Sequence, residues 1–126
     1  MASIRSVCVY CGSYSGTKPE YGAAARELGA LLATSGRTLV YGGGGIGLMG
    51  EIARATIDAG GRVIGVIPSH LNTRERAYHE AELRVVASMH ERKQTLADLA
   101  DGFIAMPGGL GTFDELFEIQ IGRAHV

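Results

Sequence analysis

Short apolar runs that break into small residues alternate along this chain with stretches of helical periodicity, and that alternation constrains its fold more than any other feature. Ile4 to Tyr10 (IRSVCVY) runs into Cys11-Gly12-Ser13, Thr38 to Tyr41 (TLVY) into Gly42-Gly43-Gly44-Gly45, and Gly102 to Met106 (GFIAM) into Pro107-Gly108-Gly109. β-branched, apolar runs ended by turn formers read as buried strands. Pro19 suits a first helical turn. After it, Tyr21, Ala24, Ala25, Leu28, Leu31 and Leu32 recur at three- and four-residue spacing, which predicts a helix to about Thr34 stopped by Ser35-Gly36.

A second helix is expected from Ile46 or Gly47 to Ala59, with Gly60-Gly61 as its stop, and a third strand over Arg62 to Ile67, ended by Pro68. Ser69 to about Ala81 is polar and mixed, and reads as a loop with room for one helical turn. Leu83 to Val86 fits a short strand, and Ser88 caps a helix over Met89 to Leu99 by offering its oxygen to free N–H groups. From Pro107 the chain turns into a helix through Phe117. Strands alternating with helices imply an α/β, Rossmann-like doubly wound parallel sheet with helices on both faces. In such sheets ligands bind at the carboxyl ends of the strands, where all three small-residue loops fall.

At 126 residues, 46% hydrophobic and 20% charged, the chain is one globular domain. Its 19 glycines exceed ordinary usage about twofold, as expected where backbone must turn tightly or approach a ligand closely. A net charge of −1 argues against nucleic acid and anionic membranes as partners. The sequence has no signal-peptide core and no apolar run of roughly 20 residues, so a cytoplasmic protein is expected. Cys8 and Cys11 form a C-x-x-C, but no second pair with metal spacing accompanies it. Cys8 lies within an apolar strand, so a core thiol is preferred to a redox or metal role, and no metal is expected.

Three segments carry chemistry. The first, Gly42 to Gly50 (GGGGIGLMG), resembles a dinucleotide fingerprint between strand and helix, where backbone N–H groups meet an anion. It follows the second strand rather than the first, and Pro68-Ser69-His70 stands where an acidic residue is expected, so a mononucleotide-facing loop is preferred to NAD or FAD. A merely tight, close-packed turn is the structural alternative. The second segment is Pro107-Gly108-Gly109-Leu110-Gly111-Thr112-Phe113-Asp114-Glu115. Its glycines free the backbone to wrap, and Thr112 stands at a helix start where hydroxyl and N–H groups bind phosphate. A capping box explains Thr112 with Glu115 but not three nearby glycines, and no Lys-Ser/Thr follows as a Walker A loop requires. The third segment, Met89-His90-Glu91-Arg92-Lys93, places adjacent cations at a helix N-terminus; a solvated helix face is the bland reading.

Together, VCVYCGS, LVYGGGGIGLMG, VIGVIP, MHERK and FIAMPGGLGTFDELFE resemble, in order and spacing, the Lonely guy (LOG) family, once widely labelled as lysine decarboxylases. The resemblance implies a phosphoribohydrolase that cleaves the N-glycosidic bond of N6-substituted adenosine 5′-monophosphates (cytokinin ribotides), and often AMP, to free base and ribose 5-phosphate. It implies no cofactor, a nucleoside 5′-monophosphate substrate, and a homodimer with the active site near the interface. By position, Arg92 and Glu115 match the family's catalytic pair, and Gly108, Gly109, Gly111 and Thr112 its phosphate loop. Ser13 and Met89 fall where the nucleotide is contacted; Gly43, Gly44 and Lys93 complete the candidate site.

A carboxylate such as Glu115 can stabilise an oxocarbenium-like sugar or activate water. Arg92 can act on the leaving purine or on the phosphate. A non-catalytic nucleotide-binding or sensor module of the same fold is the second reading. A lysine decarboxylase would need a pyridoxal-phosphate lysine, and Lys18 and Lys93, the two lysines present, lie in no convincing cofactor pocket.

Members of the family continue past this point with further strands and helices. Ile121 to Val126 (IGRAHV) matches the translation of a common sequencing-adapter sequence. The expectation is therefore an incomplete Rossmann-like domain over 1–120 and a non-native tail over 121–126. A chain ending there is expected to expose a sheet edge and to be poorly folded or inactive.

Overall fold

The computed structural model describes residues 4–11 and 19–106. The expectations for Ser13, for Gly108, Gly109, Gly111, Thr112 and Glu115, for the helix through Phe117 and for the 121–126 tail lie outside these residues.

The described residues form five strands and three helices in the order β1 (Ser6–Tyr10), α1 (Pro19–Thr34), β2 (Thr38–Tyr41), α2 (Gly47–Asp58), β3 (Val63–Pro68), β4 (Glu82–Val86), α3 (Met89–Leu99) and β5 (Gly102–Ala105). A single 3₁₀ turn, Ser69–Leu71, follows β3 within the stretch expected to be a loop. The elements agree with the sequence expectation to within a residue or two. β1 begins at Ser6 rather than Ile4, because Ile4 is half exposed and lies before the ladder starts.

The sheet is parallel throughout, in the order β4-β3-β2-β1-β5. Successive side chains on a strand point to opposite faces, and here both faces are covered. Val7 and Val9 of β1, with Leu39 and Tyr41 of β2, pack beneath α1 and α2 through Ala25, Leu32, Leu48 and Ile52. Cys8, Tyr10, Val40 and Val66 face the other way, against Leu96 of α3. All six residues of β3 are buried, as expected of a strand covered on both sides.

The C-x-x-C follows the same alternation, since Cys8 and Cys11 belong to opposite core layers. Among the described residues no group of His, Cys, Asp and Glu has the arrangement of a metal site, and no helix is long and apolar enough to cross a membrane.

From β1 the chain builds outward through β2, β3 and β4, then α3 returns it to the far side of β1 as β5. The strand order therefore reverses between β1 and β5, the position where α/β sheets open a ligand crevice. Met106 N–H donates to the Tyr10 carbonyl at 2.7 Å, which brings the chain leading to Pro107 directly beside the end of β1.

Candidate functional site

The four glycines after β2 are fixed through their carbonyls. Gly42 O accepts from Arg92 Nη2 at 2.9 Å, Gly43 O from Tyr78 N–H at 2.9 Å, Gly44 O from the Tyr41 hydroxyl at 2.8 Å, and Gly45 O from Arg54 Nη1 at 3.1 Å. Gly45 N–H donates to the Arg76 carbonyl at 3.0 Å. Residues 76–78 are thus paired antiparallel with the glycine run, and a bridge joins Gly44 to Ala77. Gly43 adopts φ +83°, a conformation other residues rarely take, and its Cα sits where a Cβ on Gly65 would come within 2.7 Å. The glycine run is both a packed turn and one wall of a cavity: Gly43 is buried behind it, whereas Gly42 and Gly44 line it.

The cavity has a volume of about 450 Å³, within the range small-molecule ligands occupy. Its apolar wall is Ile46 and Met49 from the start of α2, Ile67 from the end of β3 and Leu71 from the 3₁₀ turn that follows. Arg76 and Arg92 are its charged lining residues among those described. A concave site with two cations and no carboxylate in its described lining favours an anionic ligand.

Arg92 is the unusual member, a charged side chain only 7% exposed. The solvated-face reading of the Arg92-Lys93 pair therefore fails for Arg92. Ser88 caps α3 by accepting from Glu91 N–H at 3.1 Å, and Glu91 Oε2 accepts from Ala87 N–H at 2.8 Å, so both sides of the helix start are tied down. One turn on, Arg92 extends across the sheet end: Nε donates to Val66 O of β3 at 3.0 Å and Nη2 to Gly42 O. The planar guanidinium is thereby held by two backbone carbonyls, one on β3 and one in the glycine run after β2. Lys93 is half-buried and Met89 is 39% exposed; neither is among the described residues lining the cavity. The cavity thus unites Arg92 and Gly44 of the sequence-derived candidates.

Gly42, Ile46 and Met49 fall within the Gly42 to Gly50 segment that the sequence pointed to, though not as individual candidates, whereas Ile67, Leu71 and Arg76 were missed as lining residues. The usable signal for most of them was position, just past the carboxyl ends of β2 and β3. Arg76 carries no comparable signal, because its place depends on the pairing of 76–78 with the glycines.

Two tyrosines frame the glycine wall. Burial, reinforced by nearby Tyr78, pushes the Tyr41 hydroxyl well above its usual range, keeping it a neutral donor to Gly44 O. Desolvation, then the hydrogen bond from its hydroxyl to Glu80 at 2.8 Å, pushes Tyr78 up to about 12. The Arg54 guanidinium lies 5.9 Å from the centre of the Tyr78 ring, so a cation–π contact adds to the backbone pairing that holds 76–78 in place.

Residues 49–124 match the protein family described as "possible lysine decarboxylase". Over 116 residues the chain is 53% identical to cytokinin riboside 5′-monophosphate phosphoribohydrolase LOG of Oryza sativa subsp. japonica, covering 91% of this chain and 48% of that protein. It is 47% identical over 117 residues to the cytokinin riboside 5′-monophosphate phosphoribohydrolase of Rhodococcoides fascians, covering 91% of this chain and 59% of the relative. The chain thus spans about half the length of these curated relatives. In structure it is similar to the molybdenum cofactor carrier protein of Chlamydomonas reinhardtii, with a TM-score of 0.80 and 26% identity over 94% of this chain and 72% of that one. With a family match over more than half of its residues, the chain belongs to the family described as "possible lysine decarboxylase", among whose relatives are LOG phosphoribohydrolases.

Proposed function

We propose that this chain carries the nucleotide site of a phosphoribohydrolase that hydrolyses the N-glycosidic bond of adenosine 5′-monophosphates, N6-substituted or plain. Water adds to C1′ of the ribose, the C1′–N bond breaks, and the base leaves with a proton, giving free base and ribose 5-phosphate. The observation that carries this reading is the buried Arg92, pinned at the sheet's carboxyl end in the wall of a cavity that it lines together with Arg76, in a chain about half identical to proteins named for that reaction.

Arg92 supplies fixed positive charge to the nucleotide, and such preorganised charge stabilises what develops in the transition state. Glu115 is assigned the carboxylate that stabilises the oxocarbenium-like sugar or activates water. Gly108, Gly109, Gly111 and Thr112 hold the phosphate, and that remote grip positions the reacting bond. Gly44 lines the nucleotide's cavity with Gly43 packed behind it, and Ser13, Met89 and Lys93 are assigned to the nucleotide's surroundings beyond that described lining. The working unit is assigned as a cytoplasmic homodimer with the site near its interface.

The fold shared with a molybdenum cofactor carrier gives weight to one other reading, a nucleotide binder without catalysis. Incubation of the natural full chain with AMP and with N6-isopentenyl-AMP, followed by chromatography, separates the two. Release of adenine or isopentenyladenine that Glu115→Gln abolishes is the expected result. Tight AMP binding with no base released from either nucleotide sinks the hydrolase and favours the binder.

A further inference from the structure

We infer that Gly42 is a positioning residue for Arg92, and that the absence of a side chain at this position allows the guanidinium to occupy the cavity wall. The inference rests on the reading of Arg92 as a nucleotide-facing group. Arg92 starts on α3 and reaches both Val66 O and Gly42 O. To accept from Nη2, the Gly42 backbone must lie against the guanidinium. A Cβ built on Gly42 would overlap Nη2 of Arg92 and fall 3.3 Å from its Cζ. No side chain can share that space with the guanidinium where it stands.

The obstruction is local. Gly42 is not among the glycines with positive φ, so alanine meets no backbone strain there. Besides Arg92, the nearest atom is the terminal methyl of Met49 at 3.3 Å, the flexible end of a long side chain. A methyl group at position 42 therefore acts chiefly on Arg92. It displaces the guanidinium from two carbonyls and leaves the strand and loop conformations available. Gly65, by contrast, faces the Gly43 backbone at 2.7 Å, where a substitution disturbs the loop itself.

The test is a double-mutant cycle with Gly42→Ala and Arg92→Met in the natural full chain, read by base release from AMP, by thermal melting and by NMR of the Arg92 side chain. Misplacing a catalytic group by about 1 Å costs on the order of 10²-fold in rate. Gly42→Ala is expected to lose kcat on that order, and to add no further loss once Arg92→Met is present, because residues acting through one another are non-additive. In the wild type the Arg92 Nε–H, buried and bonded to Val66 O, should exchange slowly with solvent; in Gly42→Ala it should exchange quickly.

Should Gly42→Ala fail to fold, Gly42→Ala/Arg92→Met is expected to melt at the Tm of Arg92→Met, since the clash is removed. A Gly42→Ala protein with wild-type rate and a protected Arg92 Nε–H overturns the inference. So does a rate loss, or a loss of Tm, fully additive with Arg92→Met. If the wild type releases no base but its Arg92 Nε–H is protected and loses protection in Gly42→Ala, the proposed activity falls while the positioning role stands.

Discussion

At the scale of single residues, two buried polar groups organise the site. Tyr41 joins the core beneath α1 and α2 while its hydroxyl holds the glycine wall through Gly44 O. Replacing it with phenylalanine leaves that carbonyl without its donor, at a cost of about 1–2 kcal/mol, measurable by chemical denaturation. The raised ionisation of Tyr41 also fixes a pH dependence. The folded state keeps its proton above 10.0, where the unfolded chain releases it. The stabilisation is therefore whole below pH 10 and is lost as pH rises from there toward the folded value. Unfolding free energies at rising pH should decline above pH 10 in the wild type, and Tyr41→Phe should flatten that decline. Equal slopes in the two proteins would show that Tyr41 is not the group responsible.

The residue scale is also where the sequence was least legible. Arg92 sits beside Lys93 near a helix start, and local pattern favours two solvated cations. Its burial follows from carbonyls on β3 and after β2, residues 26 and 50 positions away, so the neighbouring sequence carries no trace of it. The glycine run was legible as a turn at a strand end, but its pairing with 76–78 was not, since those residues lie in a mixed, aperiodic stretch.

Elements were far easier to read. All the strands but β4 announce themselves as short apolar runs with glycine or proline soon after their ends, and α3 by the Ser88 cap, which accepts from Glu91 N–H as expected. Because that cap fixes the helix bearing Arg92, Ser88→Ala should destabilise the protein by about 1 kcal/mol, seen as a lower Tm in calorimetry, and Ser88→Asp should restore it. The contact between α1 and α2 depends on Gly29, where a Cβ would meet the Ile52 carbonyl at 2.6 Å and Thr56 Oγ1 at 2.9 Å. A backbone atom in a packed helix cannot move aside cheaply. Gly29→Ala should therefore destabilise by about 1–3 kcal/mol despite alanine's better helix propensity. A stabilised Gly29→Ala variant would mean that the two helices slide apart without cost.

For the whole molecule, the order β4-β3-β2-β1-β5 explains how distant segments come together. Alternation of elements predicted the parallel sheet and its carboxyl-end crevice, whereas strand order depends on packing between elements far apart in sequence. The same architecture separates Cys8 from Cys11 by placing them in different core layers. Mild oxidation of the folded protein should therefore leave no Cys8–Cys11 disulfide in peptide mass maps.

The proposed hydrolysis yields two products in a fixed ratio, and binding alone yields neither. With AMP as substrate, the natural full chain should release adenine and ribose 5-phosphate in equal amounts, and Arg92→Met should slow both by on the order of 10²–10³-fold. Nucleotide bound but recovered intact, or release at an undiminished rate from Arg92→Met, would contradict it.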